Sequence, residues 1–386
     1  MNICIVSQQF RNVYSGVGLH TRLLIADLVK KGHTVTLLVP EKEAPENDFS
    51  FDVSTVPSPK LIRSQARWIR LSQNFANRIK NLSKARKFDL IHFTDIRDSI
   101  FCHSGVPQVA NINDTYTAEL FPLSYYRENY YDAFARWGYY HFSHFFEGRK
   151  LNKLKAIIAN SQYTYRAIRE IYALRNDCLY QCYKAVNLSH YAGVADERLA
   201  RKDFGGTHRI LFVGGNMQRK GIVTLIRAAQ SISKDFPSAM FIIAGKDKFI
   251  PKYRQLCEDL GVAEHFQFLG WVSQEILLSL YRSSDLFIMP SLTEALGVVF
   301  LEAMAAAVPV IGTNVGGIPE IIGDHINGLL VPVKDPEAVA GAVGKIFGDP
   351  VFARTLAEKG LEKAHQFSVK RMMDCTEEIY DRVLGN

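Results

Sequence analysis

Short β-branched and aliphatic runs alternate with longer stretches of helical spacing along almost the whole chain, the pattern of repeated βαβ units and parallel sheets. In the first half the apolar runs predict strands at residues 2–7, 34–39, 90–93, 108–112 and 156–159. In the second half they predict strands at 210–213, 240–244, 286–289, 308–312 and 329–331. The pattern lapses between the halves, in the polar stretch 185–206, which ends on Gly205 and Gly206 just before a new strand. A chain of 386 residues is also too long for one ordinary core and fits two α/β domains. The expected fold is α/β, two Rossmann-like doubly wound parallel-sheet domains over 1–188 and 189–366, with 367–386 a helix crossing back to the first. Two such lobes would meet at a cleft, with ligands beyond the carboxyl ends of the strands.

Composition narrows the class. No apolar run reaches the ~18 residues that span a bilayer, and the opening MNICIVSQQF lacks the basic and long apolar regions of a secretory signal. The expected location is cytoplasmic. Six cysteines are scattered, and the close pair Cys178 and Cys182 has no partner pair or nearby histidine to complete a zinc site, so no metal is expected. Charge is uneven: up to residue 190 there are 25 Lys+Arg against 16 Asp+Glu, and beyond it 21 against 23. The whole basic excess lies in the first half, which suggests an anionic partner there.

Three stretches carry chemistry. Tyr14-Ser15-Gly16-Val17-Gly18 follows the first strand and opens a helix, so Gly16 and Gly18 let backbone approach a ligand while the helix N-terminus offers unpaired N–H groups to an anion. The spacing is not that of a dinucleotide fingerprint, and plain turn geometry explains such a turn as well. Gly214-Gly215-Asn216-Met217-Gln218-Arg219-Lys220-Gly221 follows the first strand of the second half. Arg219 and Lys220 suit stabilisation of a diphosphate leaving group, because cations at a helix start run against its dipole and need another reason to be there. The third stretch runs from Pro290 through Glu294, Ala295, Leu296, Gly297 and Val298 to Glu302. Free N–H groups near Gly297 can hold phosphate oxygens, and two carboxylates eight positions apart can each accept a pair of sugar hydroxyls. For Glu302 a simple role as a dipole partner is an equal reading.

With these motifs in view, the chain closely resembles the retaining GT-B glycosyltransferases of family four. The resemblance runs through SGVG, DLIHF, VPQVANIND, IIANS, LFVGGNMQRKG, FLGWVS, DLFIMPSLTEALGVVFLEAMAAAVPVIGTNVGGIPE and NGLLVP, nearly the whole chain. It implies a nucleotide-sugar donor as substrate, no cofactor and no metal. It makes Glu294 the carboxylate on the donor sugar's hydroxyls and Glu302 the one on the ribose. Arg219 and Lys220 would neutralise the diphosphate, Gly16, Gly18, Gly214, Gly297 and Val298 would present backbone near the phosphates, and Trp271 and Val272 would lie beside the base. The family usually has His-Asp where Asn113-Asp114 stands, and Arg where Gly215 stands. Asn113 is therefore expected near the reacting centre as an uncharged hydrogen-bond donor, with an altered donor preference. Two other readings are a non-catalytic nucleotide-sugar-binding subunit and a GT-B sugar-nucleotide epimerase.

The acceptor, whether a glycan, a lipid-linked sugar or a small molecule, is expected in the first half near Asp114, Tyr125 and Tyr126, within a stretch from Phe121 to Phe146 that holds twelve aromatics. Residues 60–87 carry nine Lys+Arg and no acid, interleaved with apolar residues that include Trp68, of which Phe75, Ile79 and Leu82 keep helical spacing. Two readings of this basic amphipathic helix stand: contact with an anionic membrane at the inner face of the cytoplasmic membrane, or a solvated helix packed on the sheet. No nucleic-acid-binding module accompanies it, so nucleic acid is not an expected partner.

Overall fold

The computed structural model describes residues 1–11, 16–46, 50–59, 64–114, 121–174, 177–191 and 208–385. The chain divides into two compact units, one formed by 1–184 with 369–386 and the other by 185–368. Most of the polar stretch 185–206, and with it Tyr14, Ser15 and Lys60 to Arg63, lies outside the described residues.

The first unit is built on seven parallel strands: β1 (Asn2–Val6), β2 (Thr34–Pro40), β3 (Asp52–Val56), β4 (Leu90–Phe93), β5 (Gln108–Ile112), β6 (Ala156–Ala159) and β7 (Leu179–Gln181), in the order β3-β2-β1-β4-β5-β6-β7. The second has six: β8 (His208–Val213), β9 (Ala239–Ala244), β10 (Phe266–Gly270), β11 (Leu286–Met289), β12 (Val310–Thr313) and β13 (Leu329–Val331), in the order β10-β9-β8-β11-β12-β13, again all parallel. The ten expected strands are present with small shifts at their ends. Three were not expected: β3, β7 and β10, each at the edge of its sheet. In both sheets the strand order reverses beside the first strand of the unit, between β1 and β4 and between β8 and β11. Those are the crevices where open sheets bind ligands.

The helix Ser64–Ala85 answers one expectation directly. Trp68, Leu71, Phe75 and Ile79 are buried, the last three in the core of the first unit, while Arg67, Arg70, Lys80 and Lys84 face outward. Its apolar face is already used by the unit's own sheet. Among its described residues before the closing Ala85, those that face outward are charged or polar. The aromatic stretch divides in the same way: Tyr126 and Tyr130 are buried, whereas Phe134, Phe142 and Phe145 are exposed.

The helix Val369–Leu384 completes the first unit. It buries Met372, Met373, Ile379 and Tyr380, and Lys31 pairs with its Glu377 at 2.8 Å. The Tyr380 hydroxyl meets His92 Nδ1 at 2.5 Å, while His92 Nε2 lies 2.6 Å from Asn111 Oδ1 and Asn111 Nδ2 lies 2.9 Å from His20 Nε2. Burial pushes His92 down to about 4, so the ring is neutral. The network then assigns its proton to Nε2, donating to Asn111, with Nδ1 accepting from Tyr380. None of the six cysteines forms a disulfide, and five of them are buried.

Candidate functional site

In the second unit, the turn after β8 and the loop after β11 bring the sequence-singled residues together. Gly214 has φ +137°, and a side chain there would place its Cβ 2.4 Å from Lys220 Nζ. Glycine therefore leaves room for Lys220 to fold back over the end of β8, where its ammonium donates to the Val213 carbonyl at 3.2 Å. Lys220 is 9% exposed, and burial pushes its pKa down to about 8, against the opposing pull of Glu294. Lys220 is thus turned from the following helix (Ile222–Asp235) toward the sheet's carboxyl edge.

Arg219 does something different from its neighbour. Its Nη1 donates to Glu294 Oε2 at 2.9 Å and to the Thr293 carbonyl at 2.8 Å, while its own carbonyl accepts from the Leu292 N–H at 2.8 Å. Arg219 is thereby built into the loop that carries Glu294. Burial raises the Glu294 pKa, and Arg219 and then Lys220 outweigh that, so the carboxyl is held below its ordinary range and stays ionised. The loop is gripped from the other side by Gly316 and Gly317. A Cβ on Gly316 would lie 1.9 Å from the Glu294 carbonyl oxygen and one on Gly317 2.1 Å from that of Ala295, while the Gly317 N–H donates to the Glu294 carbonyl at 2.9 Å. Ala295 and Leu296 are buried, and Gly297, at φ +89°, caps the helix Val298–Ala305.

Glu302, on that helix, is buried at 8% exposure and accepts from the Tyr281 hydroxyl at 2.7 Å. Burial raises its pKa and outweighs the hydrogen bond from Tyr281 and the charge of Lys220, so the net direction is up. The two carboxylates, eight positions apart in sequence, thus sit in opposite electrostatic settings. Trp271 is 62% exposed just beyond β10, and Val272 is buried.

In the first unit Gly16 opens the helix Gly16–Lys30, and Lys184, itself buried, reaches to 3.8 Å from where a Gly16 side chain would begin. Gly18 is buried. Asn113 follows β5, but its side chain is oriented against the sequence expectation of a free donor. Its Nδ2 donates to the Thr94 carbonyl at 2.8 Å and approaches Asp95 Oδ2 at 3.3 Å, leaving Oδ1 buried without a partner. What Asn113 has to offer is an acceptor. Asp114 pairs with Arg97 at 3.1 Å, and Arg97 also holds Asp95 at 2.8 Å. Tyr126 is 2% exposed, so it is a core ring and not a groove surface, and the Tyr125 ring stacks on Phe121 at 4.2 Å. Sequence reasoning missed Tyr281 as the partner of Glu302, Gly316 and Gly317 as the seat of Glu294, and Lys184. Only the glycine pair left a local signal.

Residues 14–190 match the family model described as Glycosyltransferase Family 4, and residues 196–363 match the model described as Glycosyl transferases group 1. An uncharacterised glycosyltransferase of Methanocaldococcus jannaschii is 41% identical over 140 residues, 36% of this chain and 36% of that protein. The GDP-mannose-dependent alpha-(1-6)-phosphatidylinositol monomannoside mannosyltransferase of Mycobacterium tuberculosis is 38% identical over 151 residues, 37% of this chain and 39% of that protein. The matches span well under half the length of these curated relatives. The solved sucrose-phosphate synthase from Thermosynechococcus elongatus superposes with a TM-score of 0.83 at 21% identity over 100% of both chains. At that identity the likeness shows the fold, which is GT-B.

Proposed function

This chain belongs to the group 1 glycosyltransferases of family four, and we propose that it moves a hexose or N-acetylhexosamine from a UDP- or GDP-sugar to a glycan, lipid-linked or small-molecule acceptor, retaining the anomeric configuration. The second unit is the donor side and the first the acceptor side. The observation that carries the reading is Lys220, a buried ammonium whose single hydrogen bond among the described residues is to Val213, at the reversal of strand order. A desolvated cation with donors in hand suits an anion, and a diphosphate is the anion that leaves in this chemistry.

In the proposed step the bond from the anomeric carbon to the diphosphate oxygen breaks, and the acceptor oxygen forms its bond on the same face. The acceptor's proton passes to the departing phosphate oxygen. Lys220 stabilises the charge that develops there, and Glu294, held ionised by Arg219, accepts from the sugar's hydroxyls. Glu302 takes the ribose. Incubation with radiolabelled UDP-, GDP- and ADP-sugars tests this, with transfer or slow donor hydrolysis expected for at least one. Tight donor binding with neither would favour the non-catalytic subunit, and interconversion of the sugar would favour the epimerase.

Arg219 and Lys220 supply positive charge at the site, so activity is expected to persist in EDTA. Loss restored by manganese would sink that part of the reading. The outward basic face of the Ser64–Ala85 helix supports peripheral contact with an anionic membrane by charge alone. Binding to anionic vesicles is expected to weaken steeply with salt, since exposed charges are screened over ~8 Å at physiological ionic strength. Equal sedimentation with neutral vesicles would count against it.

A further inference from the structure

The first unit holds a cavity of about 280 Å³ that the donor chemistry does not use. Its walls come from Gln8 beyond β1, Lys42 beyond β2, Ser58 beyond β3, Arg67 and Trp68 at the start of the Ser64–Ala85 helix, and Tyr139. These strand ends are carboxyl ends, the ligand-binding edge of an open sheet.

Trp68 is the most informative wall. It is 6% exposed and packs edge-to-face on Phe142 and Phe146, at 6.3 and 6.0 Å between centroids, yet its indole N–H has no hydrogen-bond partner. Ser58 Oγ is also buried and unpartnered. Buried donors left unpaired are uncommon because each has given up water for nothing, and a ligand that accepts from them removes the penalty. The charges lining the cavity are also unbalanced. Its one acid, Glu43, already accepts from the Phe10 and Arg11 backbone N–H groups at 3.1 Å each. Lys42 and Arg67 form no ion pair among the described residues. Tyr139 is held in place by Arg97, whose Nη1 lies 3.4 Å from its hydroxyl.

We propose that this cavity binds the phosphorylated, hydroxyl-bearing head of the acceptor: a sugar or polyol monophosphate. Lys42 and Arg67 take the phosphate, and Trp68 Nε1, Ser58 and Tyr139 take hydroxyls. The volume sits at the small end of ligand pockets, enough for one ring and too little for an acyl chain. The inference rests on the first unit being the acceptor side. The same head group can come free or on a lipid.

Calorimetric titration of the full chain tests it, with glucose 6-phosphate, glucose, inorganic phosphate, and vesicles of phosphatidylcholine with or without phosphatidylinositol. Glucose 6-phosphate is expected to bind at least about tenfold more tightly than glucose. Trp68→Phe keeps the ring and removes the N–H, and is expected to weaken binding about tenfold. The double variant Lys42→Gln with Arg67→Gln changes only exposed side chains, and is expected to weaken it more and to flatten its salt dependence. If only the phosphatidylinositol vesicles bind, and both variants weaken that binding, the head group is lipid-borne and the assignment stands. Glucose binding as well as its phosphate, binding indifferent to both variants, or no binding by any probe would overturn it. Parallel titration with UDP- and GDP-sugars separates the two failures: intact donor binding with an empty cavity overturns the cavity alone.

Discussion

A Lys220→Ala variant is expected to lose at least about a hundredfold in kcat, because a single preorganised donor in a dry site facing developing charge is worth about that much. Lys220→Met, which fills the space without the charge, should lose the same activity. Neither should melt much below wild type at pH 7, because the buried ammonium is itself costly to keep. The pH dependence gives a sharper test. The folded-state pKa is lowered from 10.5 to about 8, so the unfolded chain holds this proton more tightly than the folded one. Stability of the wild type should therefore rise, relative to Lys220→Met, as pH climbs from about 8 to 10.5, where the folded protein sheds the charge and its cost. Activity should fall over the same rise, because in the proposed step the cation is the working form. A pH profile for kcat/KM that stays flat to pH 10, or a Lys220→Met variant with normal turnover, would remove this residue from the chemistry.

Glu294 and Glu302 should fail differently when each is changed to glutamine. Glu294 lies on the loop locked to Arg219, and its contacts with the donor sugar should strengthen as positive charge develops at the anomeric carbon. Its loss should fall on kcat, by about a hundredfold. On the proposed reading Glu302 holds the ribose, which does not change during reaction, so Glu302→Gln should raise the donor KM about tenfold with kcat nearly unchanged. Tyr281 adds a control. Glutamine still offers an oxygen to its hydroxyl, so Glu302→Gln should melt like wild type, whereas Glu302→Leu orphans that hydroxyl and should cost about 1–3 kcal/mol. If both glutamine variants melt normally and share one kinetic defect, the division of labour is wrong.

Much of this architecture was legible because parallel strands covered on both faces read as unbroken apolar runs. β6 and β11 are such runs, β4 is one interrupted by His92, and β8 becomes one after His208 and Arg209; each expected strand lies within two residues of its observed ends. The three missed strands fail that signature for one reason. As edge strands they are partly exposed, and β3, with alternate residues at the surface, resembles a polar loop. The site was legible as a set of residue types and illegible as a set of pairings. Nothing local ties Arg219 to Glu294, 75 positions away, or shows that the Asn113 amide turns its nitrogen inward to Thr94. The same limit hid the cavity beside Trp68. The amphipathic pattern leaves open whether that ring meets a membrane or the sheet, and says nothing of which way the indole nitrogen points.

The division of the chain into 1–184 with 369–386, and 185–368, has a consequence for how the protein is made. The second unit is one continuous segment, so it can close its core as soon as it has left the ribosome. The first unit is synthesised earlier and must wait. Until Val369–Leu384 emerges, His92 lacks the Tyr380 hydroxyl and the surface that Met372, Met373 and Ile379 will cover stays wet. An earlier-made unit held incomplete through the synthesis of a later one is a natural client for a chaperone. A released chain truncated after residue 368 should show a protease-sensitive first unit and a resistant second one.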